Sequence, residues 1–563
     1  MLKIKFVGAI EGVSGSCTWL HHTDSDTQFL VDCGMHQGNE REEWANSQAF
    51  PFQAARLKYV LLTHAHIDHC GLLPRLVREG FTGSVYATRA TRELTELMLL
   101  DSARVSGMST EQEVKRIRWS VLDDDLGFKW GRSIRLAEGI WMAYLRSSHI
   151  LGACLISIGW KVNEGNRSIC FSGDVGCQTD ENAYLPLMKS GQHPFADTDY
   201  IVVESTYGGR IRAQEHQDSQ LRLARLAEVI AHTLFVKGGK VLMPAFSLHR
   251  AQELLMDVLN WMKVNLPAHR RAFGHSDNDR PLTANVHAPL GHAVTQVYAK
   301  HLCSKSPNGK FKYLNAELCE SLAMHADEIQ AMLQRLVEHG SVKAGDRGCL
   351  SMTKPRQPSN FEADIVIASA GMCDNGPVVS YLERWGNDPR NTVILTGYQS
   401  GGSKGAELMQ RANLSTLPMD SLALGQAEVI DMSPYYSAHA DQVMLLDFLF
   451  RTDGYGSGKP ATVFLNHGNP SSKYALREAV RQRAASAMPH DRKIMAVRIA
   501  DARWFDLDTC EPIEDSNKQA ELLREVEDLR SQLRQLTEES PTIAVTAPTT
   551  PGMCRDDGAG MVF

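Results

Sequence analysis

Thr63-His64-Ala65-His66-Ile67-Asp68-His69 decides how the rest of this sequence is read. Its metal-capable side chains follow directly on the apolar run Tyr59-Val60-Leu61-Leu62, which is rich in strand formers. Beyond it, Gly71-Leu72-Leu73-Pro74-Arg75-Leu76-Val77 has helical spacing up to Gly80. The motif is therefore expected in a strand-to-helix loop at the edge of a sheet. In extended or turning backbone His64 and His66 point the same way and can share one ion, while Asp68 and His69 can aim at a second. Imidazole with carboxylate suits zinc best, with manganese or iron as lesser options. Three His and one Asp at these fixed positions arise by accident in roughly one chain of this length in several hundred, so the pattern favours a metal site over a chance His-rich loop.

The apolar fraction of 43% with 22% charged residues fits a soluble globular protein with a large core. The length suggests roughly three to four domain-equivalents, or two large domains with insertions. No apolar window of about 18 residues is present, so no membrane span is expected. Met1-Leu2-Lys3-Ile4-Lys5-Phe6-Val7 alternates like a first strand and lacks the apolar region of a signal peptide. The 12 Cys include no Cys-x-x-Cys pair, which fits reduced thiols in a cytoplasmic protein better than a disulfide framework. The net charge of −7 is concentrated at one end: residues 511–563 carry 11 acidic and 5 basic side chains, leaving the body near −1. A nucleic-acid ligand would need a local basic groove, because the global field offers no attraction.

Apolar strands ending in a polar or charged group recur along the chain. Phe29-Leu30-Val31 runs into Asp32, which either caps a turn or orients a ligand histidine from behind. Ile140 to Leu145 leads to His149, an expected hairpin of Cys154 to Val162 and Ser168 to Phe171 ends in Ser172-Gly173-Asp174, and Tyr200-Ile201-Val202-Val203 delivers Glu204. Ser437-Ala438-His439-Ala440-Asp441 precedes a helix pattern, and Thr462 to Asn466 is a strand ending in His467. Each histidine alone would more often be a core or capping residue; recurrence in one context singles them out. Between these groups, helix patterns (Ser219 to Val236, His249 to Val264) alternate with buried-looking strands at Lys240 to Pro244, Asp364 to Ala368 and Thr392 to Leu395, as in a parallel α/β domain. Pro267 to Pro281, with His269, Arg270, Arg271, His275 and Arg280, reads as a polar surface insertion. The glycine-rich Gly397 to Gly405 lacks the spacing of a nucleotide-binding loop. Leu522, Val526, Leu529, Leu533 and Leu536 recur at heptad spacing within 517–537, a seam for a homodimer or a partner helix, or the apolar face of a lone helix. The Thr/Pro/Ala/Gly composition beyond Ser540 is that of a disordered tail.

The order of these strand-end groups resembles the metallo-β-lactamase fold, specifically its β-CASP branch of nucleic-acid-processing nucleases, and most closely the bacterial and archaeal ribonucleases related to the cleavage-and-polyadenylation endonuclease. Asp32 matches the first motif of that family, His64-x-His66-x-Asp68-His69 the second, His149 the third and Asp174 the fourth; Glu204, His439 and His467 match the three motifs of the branch. The resemblance implies an α/β fold, an αββα sandwich with an inserted α/β β-CASP domain and a short C-terminal helical tail. It places the first part of the metallo-β-lactamase domain at 1–208, the β-CASP domain at 209–425, the return segment at 426–515, an amphipathic helix at 516–540 and the tail at 541–563. It implies two Zn²⁺ per chain, with Mn²⁺ as the other option: one held by His64, His66 and His149, the other by Asp68, His69 and His467, with Asp174 bridging. A hydroxide between two cations would attack phosphorus in line, with Asp68 and Asp32 supporting the centre and His439 as general acid oriented by Glu204.

Members acting on RNA carry His at the last motif, so His467 favours single-stranded RNA, with endonucleolytic cleavage expected over 5′-exonucleolytic trimming. His287-Ala288-Pro289 departs from the common Asp-Ser-Pro, which bears on sequence or end preference rather than on hydrolysis. Two other classes compete. A small-molecule metallo-hydrolase of the same fold would lack the insertion with Glu204, His439 and His467; a partner-dependent subunit without activity would have lost metal ligands, and this chain keeps them all.

Overall fold

The computed structural model describes residues 1–513 apart from 39–43, 126, 177–187, 276–278, 322–323, 414–424 and 453–457. The expected helix at 517–537 and the tail lie outside the described residues. All elements considered below fall within one unit, Met1–Glu511.

The alternation of Leu2-Lys3-Ile4-Lys5-Phe6 is that of a half-buried strand, and it forms β1 (Leu2–Phe6) with its apolar positions inward. β1 pairs antiparallel with β2 (Thr18–His22), which pairs with β3 (Thr27–Val31). The sheet then continues in parallel through β4 (Leu57–Leu61), β5 (Ser84–Ala87) and β6 (Trp119–Val121). A second sheet starts antiparallel, from β7 (Ile134–Ala137) through β8 (Ile140–Arg146) and β9 (Cys154–Val162) to β10 (Gly165–Phe171). It goes on in parallel through β11 (Tyr200–Glu204) to two strands from late in the chain, Ala461–Asn466 and Ile494–Ile499. The two sheets face each other across one apolar cluster containing Ile4, Phe6, Phe29, Ile156, Trp160, Phe171 and Phe464. A second cluster packs Leu73 and Leu76 on the far side of the first sheet, and a third packs Leu445, Phe448 and Leu476 on the far side of the second. The result is the expected αββα sandwich.

Between β11 and its late partner the chain builds a third sheet. β12 (Val241–Pro244), β13 (Leu282–His287), β14 (Ser341–Ala344), β15 (Gly348–Met352), β16 (Ile365–Ala368), β17 (Thr392–Leu395) and β18 (Glu428–Asp431) lie in the order β14-β15-β13-β16-β12-β17-β18, parallel except for the β14-β15 hairpin. β12, β16 and β17 are buried along their whole length, which is why they read as continuous apolar runs rather than alternating ones. One apolar cluster joins this layer to the sandwich, with Leu94, Ile150 and Leu151 beside Leu255, Tyr298 and Tyr436. We number the last strands of the sandwich β19 (Ala461–Asn466) and β20 (Ile494–Ile499).

One expectation needs correction. The stretch from Pro267 to Pro281 is not simply a polar surface insertion: Leu266–Ala272 is helical, and Arg270 is buried with its guanidinium donating to the carbonyls of Asp279 and Arg280. Arg280 pairs with Asp364 across to the third sheet. The basic residues there are partly consumed by closing the segment on itself.

Candidate metal centre

Parallel pairing brings the site residues to one edge. β3 and β4 run in parallel, so Asp32 and the Thr63–His69 loop emerge side by side. β10, β11 and β19 are parallel neighbours, so Asp174, Glu204 and His467 follow at the matching ends of their strands. His149 follows β8 by the turn Ser147–Gly152. Two capped helices fix the remaining approach angles: Asp441 accepts from the N–H of Met444 just after His439, and Asn469 from that of Ser472 just after His467. Asp32 and His467 are non-glycine residues with left-handed φ, 60° and 48°, a conformation that clusters at functional sites.

Donor atoms within 4.8 Å of one another fall into three groups: His64, His66, His149 and Asp174; Asp68, His69, Asp174 and His467; and Asp174, Glu204 and His439. The structure thus brings together every sequence-derived candidate except Asp32, which stands behind His69. His66 Nδ1 lies 3.0 Å from both His64 Nε2 and His149 Nε2, and His69 Nε2 lies 3.2 Å from His467 Nε2. Asp174 is nearly inaccessible, and its Oδ1, 3.2 Å from His69 Nε2, has no hydrogen-bond partner among the described residues. Ring nitrogens converging on a buried carboxylate are the donor set of divalent cations such as zinc, and the residues present fit two of them.

The far nitrogens of the rings are held from behind. His69 Nδ1 donates to Asp32 Oδ2 at 2.7 Å, and His149 Nδ1 to the carbonyl of Ala438 at 2.9 Å. His64 Nδ1 faces Thr63 Oγ1 at 3.1 Å, and that hydroxyl donates to Asp32. Each contact fixes the ring so that Nε2 faces the centre. Asp32 therefore holds the His69 ring from behind and does not merely cap a turn. Thr63 and the Ala438 carbonyl are contributors that the sequence reading missed. Thr63 carries a weak signal, as a hydroxyl beside a ligand histidine; a main-chain carbonyl carries none.

Electrostatics divide the rings into two kinds. Burial, with the neighbouring imidazoles, holds His66 down to about 3 and lowers His64 and His149, so these rings are neutral and able to ligate. Burial also acts to lower His69, but Asp174, Asp32 and Asp68 outweigh it and push the ring well up. The second donor group thus has excess negative charge that a proton or a cation must balance. His439 is of the same kind: burial opposes its protonation, yet the Glu204 carboxylate, 3.0 and 2.9 Å from its Nδ1, and Asp174 raise it to about 9. Glu204 is itself fixed by the N–H of Val175 at 2.6 Å and is almost wholly buried.

The metallo-β-lactamase superfamily model matches residues 10–139 and the β-CASP domain model residues 251–408. The chain carries a metallo-β-lactamase domain and a β-CASP domain. It is 29% identical over 482 residues to the protein named Ribonuclease TTHA0252 of Thermus thermophilus, covering 84% of this chain and 95% of that one. It is similar to two proteins named Transcription termination factor FttA. The identity is 25% over 495 residues for that of Methanocaldococcus jannaschii, covering 85% of this chain and 69% of the relative. For that of Pyrococcus abyssi it is 27% over 512 residues, covering 86% and 69%. In this β-CASP protein no helix among the described residues is long and apolar enough to cross a membrane.

Proposed function

We propose that the chain is a two-metal phosphodiesterase that hydrolyses single-stranded RNA, with internal cleavage as its mode. The observation that carries this reading is Asp174: its carboxylate belongs to both histidine-rich donor groups and to the Glu204–His439 group. One residue thus joins two cation sites to a proton-donating pair. The similarity to a protein named as a ribonuclease supports RNA as the substrate class.

In this reading His64, His66, His149 and Asp174 would hold one zinc, and Asp68, His69, His467 and Asp174 the other. When bound, two such cations supply a nucleophile at neutral pH and neutralise charge on the phosphoryl oxygens. The protein does the rest. Asp32, Thr63 and the Ala438 carbonyl keep the ligand rings in the ligating tautomer. Glu204 keeps His439 protonated and turned so that Nε2 faces the centre, where it gives its proton to the leaving oxygen. The inserted β-CASP domain, expected at 209–425 with the return segment at 426–515, would clamp the strand over the metals; its sheet runs on to β18 (Glu428–Asp431), so the return to the metallo-β-lactamase domain begins after Asp431.

The test is metal content measured together with cleavage of a 5′-labelled single-stranded RNA, using the His64→Ala/Asp68→Ala double variant as control. About two zinc per chain with internal products that vanish in the variant is the expected outcome. Bound metal with no RNA cleavage would move the assignment to a small-molecule hydrolase or a partner-dependent subunit, and a protein that takes up no metal would end the proposal.

A further inference from the structure

His439 and the Ala438 carbonyl both lie in the short link Ser437–Asp441, between a 3₁₀ turn at Ser433–Tyr436 and the helix Gln442–Phe450. Downstream the link is tied to the sandwich by the N–H of Ala440, which donates to the Val175 carbonyl at 2.7 Å, and Asp441 is held in turn by the N–H of Arg212, from which it accepts at 3.0 Å. Upstream it is tied to the third-sheet layer, and by different chemistry. Tyr436 is buried, and its hydroxyl donates to Asp257 Oδ2 at 2.7 Å. Its carbonyl accepts from the Arg250 guanidinium. The guanidinium groups of Arg222 and Arg250 lie over its ring, 5.2 and 5.3 Å from the centroid. Arg222 pairs with Asp257 at 3.1 Å and Glu253 at 3.3 Å, and Arg250 pairs with Glu253 at 2.6 Å. These four charges come from two helices of the layer, Ser219–Ala231 and Arg250–Asn260, and they balance.

A buried, balanced ion cluster adds little net stability over apolar packing of the same volume, because desolvation consumes most of the attraction. It is, however, intolerant of displacement, since moving any member strands a charge in low dielectric. Apolar packing would let the link slide by fractions of an ångström; this cluster holds both the ring and the carbonyl of Tyr436 in one place. His439 is three residues on and Ala438 two, with little slack between them and the fixed downstream end.

We propose that Tyr436 is a positioning residue: through it the Arg222–Glu253–Asp257–Arg250 cluster sets the Ala438 carbonyl against His149 and His439 against Glu204. The clamp layer thereby fixes the geometry of the metal centre as well as covering it. The catalytic half of this inference rests on the reading of His439 as the proton donor.

The test uses full-length protein with Tyr436→Phe, which keeps the ring and removes only the hydroxyl, and Asp257→Asn, which keeps the volume and removes the charge. The proteins are loaded with Co²⁺, and the visible absorption and stoichiometry are read before any RNA is added. A shifted cobalt spectrum at unchanged stoichiometry is expected. On single-stranded RNA, well below the melting temperature of each variant, kcat should fall about tenfold with KM unchanged, and the double variant should be no worse than the more impaired single one. A spectrum and a kcat that both stay at the wild-type values would overturn the proposal, whatever happens to the melting temperature. If the wild-type protein cleaves no RNA, the proposed function fails on its own account, and the cobalt spectrum alone decides: a shift supports positioning through Tyr436, and an unshifted spectrum overturns it.

Discussion

The backbone N–H of His467 donates to the carbonyl of Ala9 at 3.0 Å, and both residues hold a left-handed φ, 48° and 56°. The same carbonyl accepts from Lys473 Nζ at 3.1 Å, and Lys473 also donates to the carbonyl of Ile10. Lys473 lies in the first turn of the helix Pro470–Ala485, is 1% exposed, and is pulled by burial down to about 8. A lysine so expensive to bury holds together two strained residues, one of them a donor of the second group. Lys473→Met should lower stability by about 1–3 kcal/mol by leaving two carbonyls short of a donor. It should also weaken cation retention at the Asp68–His69–His467 group, to be read as loss of about one metal per chain on dialysis against a mild chelator, with the first cation retained.

Asp32 belongs to none of the three donor groups but accepts from His69 Nδ1 and from both the N–H and the hydroxyl of Thr63. Asp32→Asn keeps its size and presents an amide N–H where a ring N–H must be accepted. Metal affinity should fall about 10–100-fold in a competitive chelator titration, with the secondary structure by circular dichroism unchanged. Wild-type affinity in this variant would mean that His69 needs no support from behind.

The sandwich and the third-sheet layer meet through a charged contact as well as apolar ones. Glu93, in the helix Arg89–Ser106, pairs with Lys300 at 2.6 Å and His301 at 3.1 Å, at the end of the helix Pro289–His301. Burial alone would raise Glu93, but His301 and Lys300 outweigh it and hold the carboxyl down to about 2. With the folded value depressed, the contribution is complete above the ordinary carboxylate value near 4.5 and is lost as pH falls from there toward 2. The pair is partly solvated, so about 1 kcal/mol is at stake. Glu93→Gln should lower the melting temperature at pH 7, and the gap to wild type should shrink steadily as pH falls from 4.5 toward 2; a gap that stays constant over that range would show that the loss is not ionic.

The sequence was most legible where an apolar strand ran into a single charged or imidazole group. Asp32, His64, Asp174, Glu204 and His467 all have that form, because parallel strands must deliver site residues at their ends and bury the rest. The alternation of strands and helices between 240 and 395 was legible for the same reason. Two kinds of feature were hidden. The support of His149 is the Ala438 main chain, which any residue type would supply. Arg222, Glu253 and Asp257 sit among helical residues whose charges ordinarily face water, and only the packing of two helices against Tyr436 turns them inward. Arg270 misled in the same way: its basic neighbourhood reads as surface, yet its guanidinium is bound to main-chain carbonyls of its own segment.

His439 carries the sharpest prediction. Its Nδ1 is bound by Glu204, so only Nε2 can meet a substrate, and Asp174 Oδ2 at 3.9 Å keeps that edge beside both donor groups. As proton donor to a leaving alkoxide it would contribute about 10²–10⁴-fold, and its loss should matter only when the leaving oxygen is basic. His439→Ala should therefore cut RNA hydrolysis by about that factor at unchanged metal content, while hydrolysis of a p-nitrophenyl phosphodiester, whose leaving group needs no proton, should fall less than about tenfold. Glu204→Gln should show the same contrast in milder form, because the amide still accepts from Nδ1 but no longer favours the imidazolium. Equal losses on both substrates would instead place His439 among the groups that hold the cations, a role that the third donor group of Asp174, Glu204 and His439 would also allow.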